Sequence, residues 1–168
     1  MATERKDIRE KQHRLPRECY RGEVAVSFTA CTADQRLLFA NPAVAQECIR
    51  KLDKARSQYH CLVLIYCFMP DHLHAILQGT DATADTWAAM AAFKQQCGFW
   101  LARQHPKFAL QKDFYDHVIR ADEDLGAQIR YVADNPVRKG FVKDWRAYPY
   151  TGALGIDLED VLEGVATL

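Results

Sequence analysis

The stretch from Cys61 to Leu77 constrains this chain more than any other. Cys61 to Phe68 is a near-continuous apolar, β-favouring run, the pattern of a central strand covered on both faces rather than of a half-exposed one. Met69-Pro70-Asp71 interrupts it, because Pro cannot donate to a ladder and Asp forms turns. His72 to Leu77 then resumes as a second strand, expected antiparallel to the first. A hairpin this apolar is stable only inside a sheet with helices packed over it.

The flanking sequence supplies those partners. Residues 24–31 alternate, with Val24, Val26 and Phe28 on one face, and read as a strand. Asn41-Pro42 is a helix start, with Asn at the N-cap and Pro in the first turn. The helix to about Ser57 carries Val44, Cys48, Ile49, Leu52 and Ala55 on one stripe. From about Thr83 to Arg103 the positions Trp87, Met90, Phe93, Cys97, Trp100 and Leu101 recur at helical spacing. Phe114 to Ile119 is a short strand, and Asp122, Glu123 and Asp124 put carboxylates where a third helix begins, stopping near Asn135 ahead of Pro136. The order β-α-β-β-α-β predicts an α+β, ferredoxin-like antiparallel sheet with helices on one face and an additional C-terminal helix. Ala147 to Leu168 reads either as a short helix or as a loose acidic tail.

With 168 residues the chain is expected to be one domain, long enough to bury roughly 70% of its unfolded surface. Its longest apolar runs fall far short of the about 20 residues a bilayer span needs, so no membrane is expected. Met1 to Arg21 is charged and has no apolar core, so a cytoplasmic location is expected. The six cysteines contain no C-x-x-C pair and read as small core hydrophobes. The formal charge is zero, 22 basic against 22 acidic side chains, but the signs are segregated. Asp157, Glu159, Asp160 and Glu163 crowd the end of the chain, beyond the last base, Arg146. Residues 1–21 hold seven bases against four acids, a basic N-terminal arm suited to an anionic partner.

Two constellations could carry chemistry. His72 and His74 are two apart on a strand, so their imidazoles share a face and can close on one metal, while Leu73, Ala75 and Leu77 face the other way. Two independent histidines are the plainer alternative. On the third helix, Leu125, Ile129 and Val132 form the core stripe, and Asp124, Gln128, Tyr131 and Asn135 fall on a neighbouring polar stripe. Tyr131 and Asn135, one turn apart, offer a nucleophile and a neutral oxygen ligand; a tyrosine that merely anchors the helix is the alternative.

Met69-Pro70-Asp71-His72-Leu73-His74 resembles the His-hydrophobic-His signature of the single-tyrosine HUH transposases. Phe114-Tyr115-Asp116-His117-Val118-Ile119-Arg120, followed by Tyr131-Val132 and then Asn135-Pro136-Val137 and Gly140, resembles the catalytic-helix region of the same group. The likeness is greatest to the REP-associated tyrosine transposases and runs from about Arg14 to Tyr150. Where that group has a Gly-Thr-x-Tyr element, this chain has Gly22-Glu23-Val24-Ala25. The resemblance implies a DNA nicking and joining enzyme acting on hairpin-bearing single-stranded DNA. Tyr131 would be the nucleophile, forming a 5′-phosphotyrosine, and His72, His74 and Asn135 would hold a divalent metal, Mg²⁺ or Mn²⁺. Relatives act as dimers or as monomers, so a homodimer is among the partners implied.

For DNA binding the candidates are Arg14 and Arg17 in the arm, with Arg9 and Lys11 nearby, then Lys94, Arg120, Arg138 and Lys139. Lys and Arg neutralise phosphates, and the interleaved aromatics Trp87, Trp100, Tyr115, Trp145 and Tyr148 can stack on unpaired bases where exposed, with a core role the alternative for most of them, Trp87 and Trp100 above all. The alternative function is a non-catalytic single-stranded nucleic-acid-binding domain on the same sheet. Against it, the strands lack an aromatic RNP pattern. A Zn²⁺ hydrolase is disfavoured because only two histidines and no neighbouring Cys or Glu ligand are present.

Overall fold

The computed structural model describes residues 14–166. Its centre is the apolar hairpin: β2 (Cys61–Met69) and β3 (His72–Gly79) pair antiparallel through the Pro70-Asp71 turn. β1 (Ala25–Cys31) pairs with β3 on one side and with β4 (Tyr115–Ile119) beyond it, and β5 (Thr151–Leu154) adds to the far edge of β2. The order β4-β1-β3-β2-β5 is the antiparallel α+β arrangement expected from the sequence, with one strand more.

The helices α1 (Pro42–Gln58) and α2 (Thr86–Gln104) cover one face. Asn41 caps α1 by accepting from the Ala43 amide at 3.0 Å, and Asp85 caps α2 through Ala88 at 2.8 Å. Both occupy an orphaned donor of a first turn. The stripes Val44/Cys48/Leu52/Ala55 and Met90/Phe93/Cys97/Leu101 are buried against Val26, Phe28, Val63, Phe68, Leu73, Ala75 and Leu77. All six cysteines are thiols, four of them buried.

Helices on a single face were expected, and here the structure differs. The opposite face carries α3 (Leu125–Ala133) and α5 (Leu158–Ala166). Ile129, Val132, Ala133 and Val161 close over Leu64, Ile65, Cys67, Met69 and Ile76. The reason was already in β2: a strand apolar on both sides needs two covers, and α1 and α2 supply one.

Two further expectations are corrected. The third helix does not run to Asn135; it ends at Ala133, and a separate turn α4 (Asn135–Arg138) follows. Pro136 lacks the amide that would bond Val132, so the chain restarts with Pro in the first turn, where no donor is missed. α4 closes with Gly140 at φ +77, its amide on the Val137 oxygen and that of Phe141 on the Pro136 oxygen. Nor is the segment from residue 151 a loose tail, since β5 and α5 both pack onto the sheet. Of the basic arm, residues 1–13, including Arg9 and Lys11, lie outside the described residues, while Arg17–Tyr20 form a single 3-10 turn. Among the described residues no helix is long and apolar enough to cross a membrane.

Candidate active site

The second face of the sheet, the one under α3, brings the histidines forward. In β3 the residues alternate, so Leu73 and Ala75 are buried with α1 and α2, while His72, His74 and Ile76 point toward α3. The two imidazole centroids are 4.7 Å apart with the rings nearly perpendicular. Sheet register supplies their neighbours: Thr29 and Cys67 flank His74, and Cys31 and Met69 flank His72.

Each ring is held by one nitrogen. His72 Nδ1 lies 2.6 Å from Asp71 Oδ1, and His74 Nδ1 lies 2.9 Å from Thr29 Oγ1. A carboxylate only accepts, so His72 donates from Nδ1 to Asp71, while the Thr29 hydroxyl, donor or acceptor, engages His74 Nδ1; in both rings Nε2 is the nitrogen left to face a ligand. Burial lowers the His74 pKa to about 4, reinforced by the charges of His72 and Arg138 and opposed by Asp71. At neutral pH this imidazole is uncharged, the form that binds metals.

Tyr131 stands on the outer surface of α3, 62% exposed. Asn135, expected on the same stripe, instead starts α4 and is only 4% exposed. Its Nδ2 is buried without a hydrogen-bond partner. Arg138 joins the two: its guanidinium donates to the Tyr131 carbonyl oxygen at 2.8 Å and reaches Asn135 Oδ1 at 3.5 Å. The positive charge of Arg138 also bears on His74, disfavouring its protonation.

Among the described residues no three His, Cys, Asp or Glu side chains group as metal ligands. A cation on the histidine pair would need a neutral third donor. The residues fit that requirement: two imidazoles each anchored through Nδ1, and a buried amide with an unmet polar atom that could turn its oxygen inward.

The other expected DNA contacts are scattered. Arg120 and Lys139 are exposed, at the end of β4 and after α4. Arg14 pairs with Asp116 at 3.5 Å and lies over the Phe114 ring, and Arg17 pairs with Asp85 at 2.9 Å over Trp87. Lys94 is half-buried and donates to the Gln111 and Lys112 carbonyls at 2.6 Å, so its ammonium ties a loop in place. These three belong to the α2 side of the sheet, apart from Tyr131. Two holding residues, Thr29 and Asp71, escaped the sequence reading. Asp71 adjoins His72 in the chain, whereas Thr29 emerges only from the β1–β3 register.

A five-stranded antiparallel sheet with a histidine pair on the face covered by a tyrosine-bearing helix defines an α+β domain. Residues 22–121 match the model of the IS200-like transposase family, and the chain belongs to that family. The match includes both histidines and ends before Tyr131. A REP-associated tyrosine transposase of Escherichia coli K12 is 29% identical over 87 residues, 49% of this chain and 48% of that protein. A Haemophilus influenzae protein provisionally given the same name is 28% identical over 96 residues, 51% of this chain and 54% of its own. The chain therefore spans about half the length of the curated relatives it matches. The solved structure of a REP-associated tyrosine transposase bound to a REP hairpin superposes with a TM-score of 0.70, covering 84% of this chain and 82% of that one at 20% identity. That likeness establishes the shared fold.

Proposed function

We propose that this protein is a metal-dependent transesterase that nicks and joins hairpin-bearing single-stranded DNA through Tyr131. The observation that carries the reading is the histidine pair: two imidazoles side by side, each with Nδ1 engaged, on the sheet face covered by the helix that presents an exposed tyrosine. A merely structural pair would have no need of two Nδ1 atoms engaged alike and a shared outlook. Family membership and the hairpin-bound relative favour DNA of this kind as the substrate.

His72, His74 and Asn135 would hold Mg²⁺ or Mn²⁺. When bound, such a cation polarises a phosphate oxygen and stabilises charge developing there. The chain's own residues do the rest. Tyr131 Oη attacks phosphorus, forming an O–P bond as the bond to the 3′-oxygen breaks. The phenol gives up its proton and the departing 3′-oxygen takes one up, leaving a 5′-phosphotyrosine and a 3′-OH. One phosphodiester replaces another, so the step is reversible and needs no nucleotide triphosphate, and a second 3′-OH can resolve it. Arg138, stacked on the attacking ring, contributes fixed positive charge beside the phosphate. A homodimer is compatible with this chemistry but not required by it.

The test is incubation with end-labelled hairpin oligonucleotides and Mn²⁺ or Mg²⁺, followed by a denaturing gel. A shifted, denaturation-resistant band lost in Tyr131→Phe is expected. Cleavage with no adduct would mean metal-activated water instead, and binding with neither product across many hairpins would mean a non-catalytic binder.

A further inference from the structure

Beside Tyr131 an open trough of about 730 Å³ runs between α3, the 3-10 turn Trp145–Ala147 and α5. Arg130, Arg138 and Arg146 line it, together with Tyr131, Trp145 and Leu162. Three guanidinium groups and two aromatic rings around one open channel are the chemistry that tracks unpaired nucleic acid: cations for the phosphates, ring faces for the bases. Opposing charge comes from Asp134 of the lining, 3.8 Å from Arg138, and from Glu159 of α5, which is outside the lining but 3.5 Å from Arg146. Arg146 lies 4.4 Å from the Trp145 ring centroid, so one side chain is shared between an indole face and a carboxylate.

We propose that this trough is the channel for the single-stranded segment adjoining the scissile phosphate, with Arg130 and Arg146 on its phosphates and Trp145 on a base. The proposal deepens the reading of Tyr131 as nucleophile and rests on it for the word scissile; the binding itself requires no catalysis. Glu159 competes with the strand for Arg146. α5 therefore forms a wall of the channel and also weakens its grip, which gives the acidic end of the chain a purpose beyond covering the sheet.

The test measures binding of fluorescein-labelled dT20 in EDTA at low salt, by anisotropy and by tryptophan emission, on the full chain. Arg130→Ala and Arg146→Ala should each weaken binding several-fold and lower the salt slope by about 1. Glu159→Gln should tighten it. Binding should perturb tryptophan emission in the wild type and lose most of that change in Trp145→Phe. Arg50→Ala, an exposed charge on α1 paired with Glu47, is the matched control and should bind as the wild type does.

The proposal is overturned if the two trough variants bind like the wild type, if Arg50→Ala is weakened as much as they are, or if the wild type does not bind dT20 at all. Failure of the nuclease reading looks different. No adduct would form with any hairpin, yet the trough variants would still lose dT20, and the channel would stand without the chemistry.

Discussion

The guanidinium of Arg138 lies 3.7 Å from the Tyr131 ring centroid and bonds the main-chain oxygen of the same residue at 2.8 Å. α4 makes this contact possible: the restart at Asn135-Pro136 turns the chain so that Arg138 folds back over the preceding helix. A cation stacked on a phenol that is to carry a phosphate both restrains the ring and offsets charge in the transition state. Arg138→Ala should slow single-turnover adduct formation by about 100-fold. Arg138→Lys should restore only part of the rate, because an ammonium cannot stack and fork at once. Wild-type adduct rates in Arg138→Ala would remove Arg138 from the reaction.

His74 makes stability depend on pH. Its pKa falls from 6.5 unfolded to about 4 folded, chiefly through burial. Below pH 6.5 the unfolded chain therefore binds a proton that the folded chain refuses, and stability drops as pH falls, levelling only below about 4. The shift corresponds to about 3 kcal/mol. Urea unfolding in EDTA at pH 7.5 and 4.5 should show this extra loss in the wild type and not in His74→Asn. Equal losses in both proteins would contradict it.

The succession of elements through β4 was legible because the hairpin, the capped helices and the alternating β1 are local signals, whereas β5 was not foreseen. Asn41 and Asp124 both cap the helices that their positions announced, each accepting an amide of its helix's first turn. The second helical layer was half legible: β2 demanded it, but nothing near β2 in sequence provides it, and α5 lies about ninety residues on. Tyr131 and Asn135, which both meet Arg138, were wrongly put on one helix, because a period of 3.6 residues does not register that Pro136 restarts the backbone. Arg17 read as a DNA contact by its charge and Lys94 by its charge and the family resemblance, and only packing revealed that Asp85 and carbonyls hold them.

Asp71 and Thr29 should matter to metal affinity without touching the metal. Each holds one imidazole through Nδ1, at 2.6 Å and 2.9 Å. Outer partners of this sort commonly contribute about 10- to 100-fold in affinity. Mn²⁺ titration by calorimetry should show that loss in Asp71→Ala and Thr29→Val, with unfolding midpoints in EDTA little changed for the exposed Asp71 variant. Unaltered Mn²⁺ affinity in both would mean that the rings are held by packing alone.

Tyr20 is a stability prediction at the opposite face. It is fully buried, and its hydroxyl donates to the Asp116 carboxylate, which with burial pushes the phenol pKa upward. Tyr20→Phe keeps the ring and deletes the donor, so the carboxylate, 3.5 Å from Arg14, loses a close partner. A loss of about 1–3 kcal/mol is expected by urea unfolding. A change below about 0.5 kcal/mol, the range of neutral surface substitutions, would mean that the acid is satisfied without the Tyr20 hydroxyl.

β5 connects the fold to the trough. Tyr148 Oη donates to the Phe68 oxygen at 2.7 Å, and the Phe68 amide to the Tyr150 oxygen at 3.0 Å, so the segment carrying Trp145 and Arg146 is fastened to β2. Gly152 is required in that fastening: a Cβ there would come within 2.7 Å of the Tyr66 hydroxyl and 2.9 Å of its ring. Tyr66 is buried against Phe68 and has no room to yield. Gly152→Ala should therefore cost about 1–3 kcal/mol and loosen the edge strand. Because the strand anchors the trough wall, dT20 binding should weaken as well, with hydrogen exchange rising in residues 145–154 while β1 and β3 stay protected. Undiminished binding by a protein so destabilised would separate the channel from β5 and leave α3 and α4 as its frame.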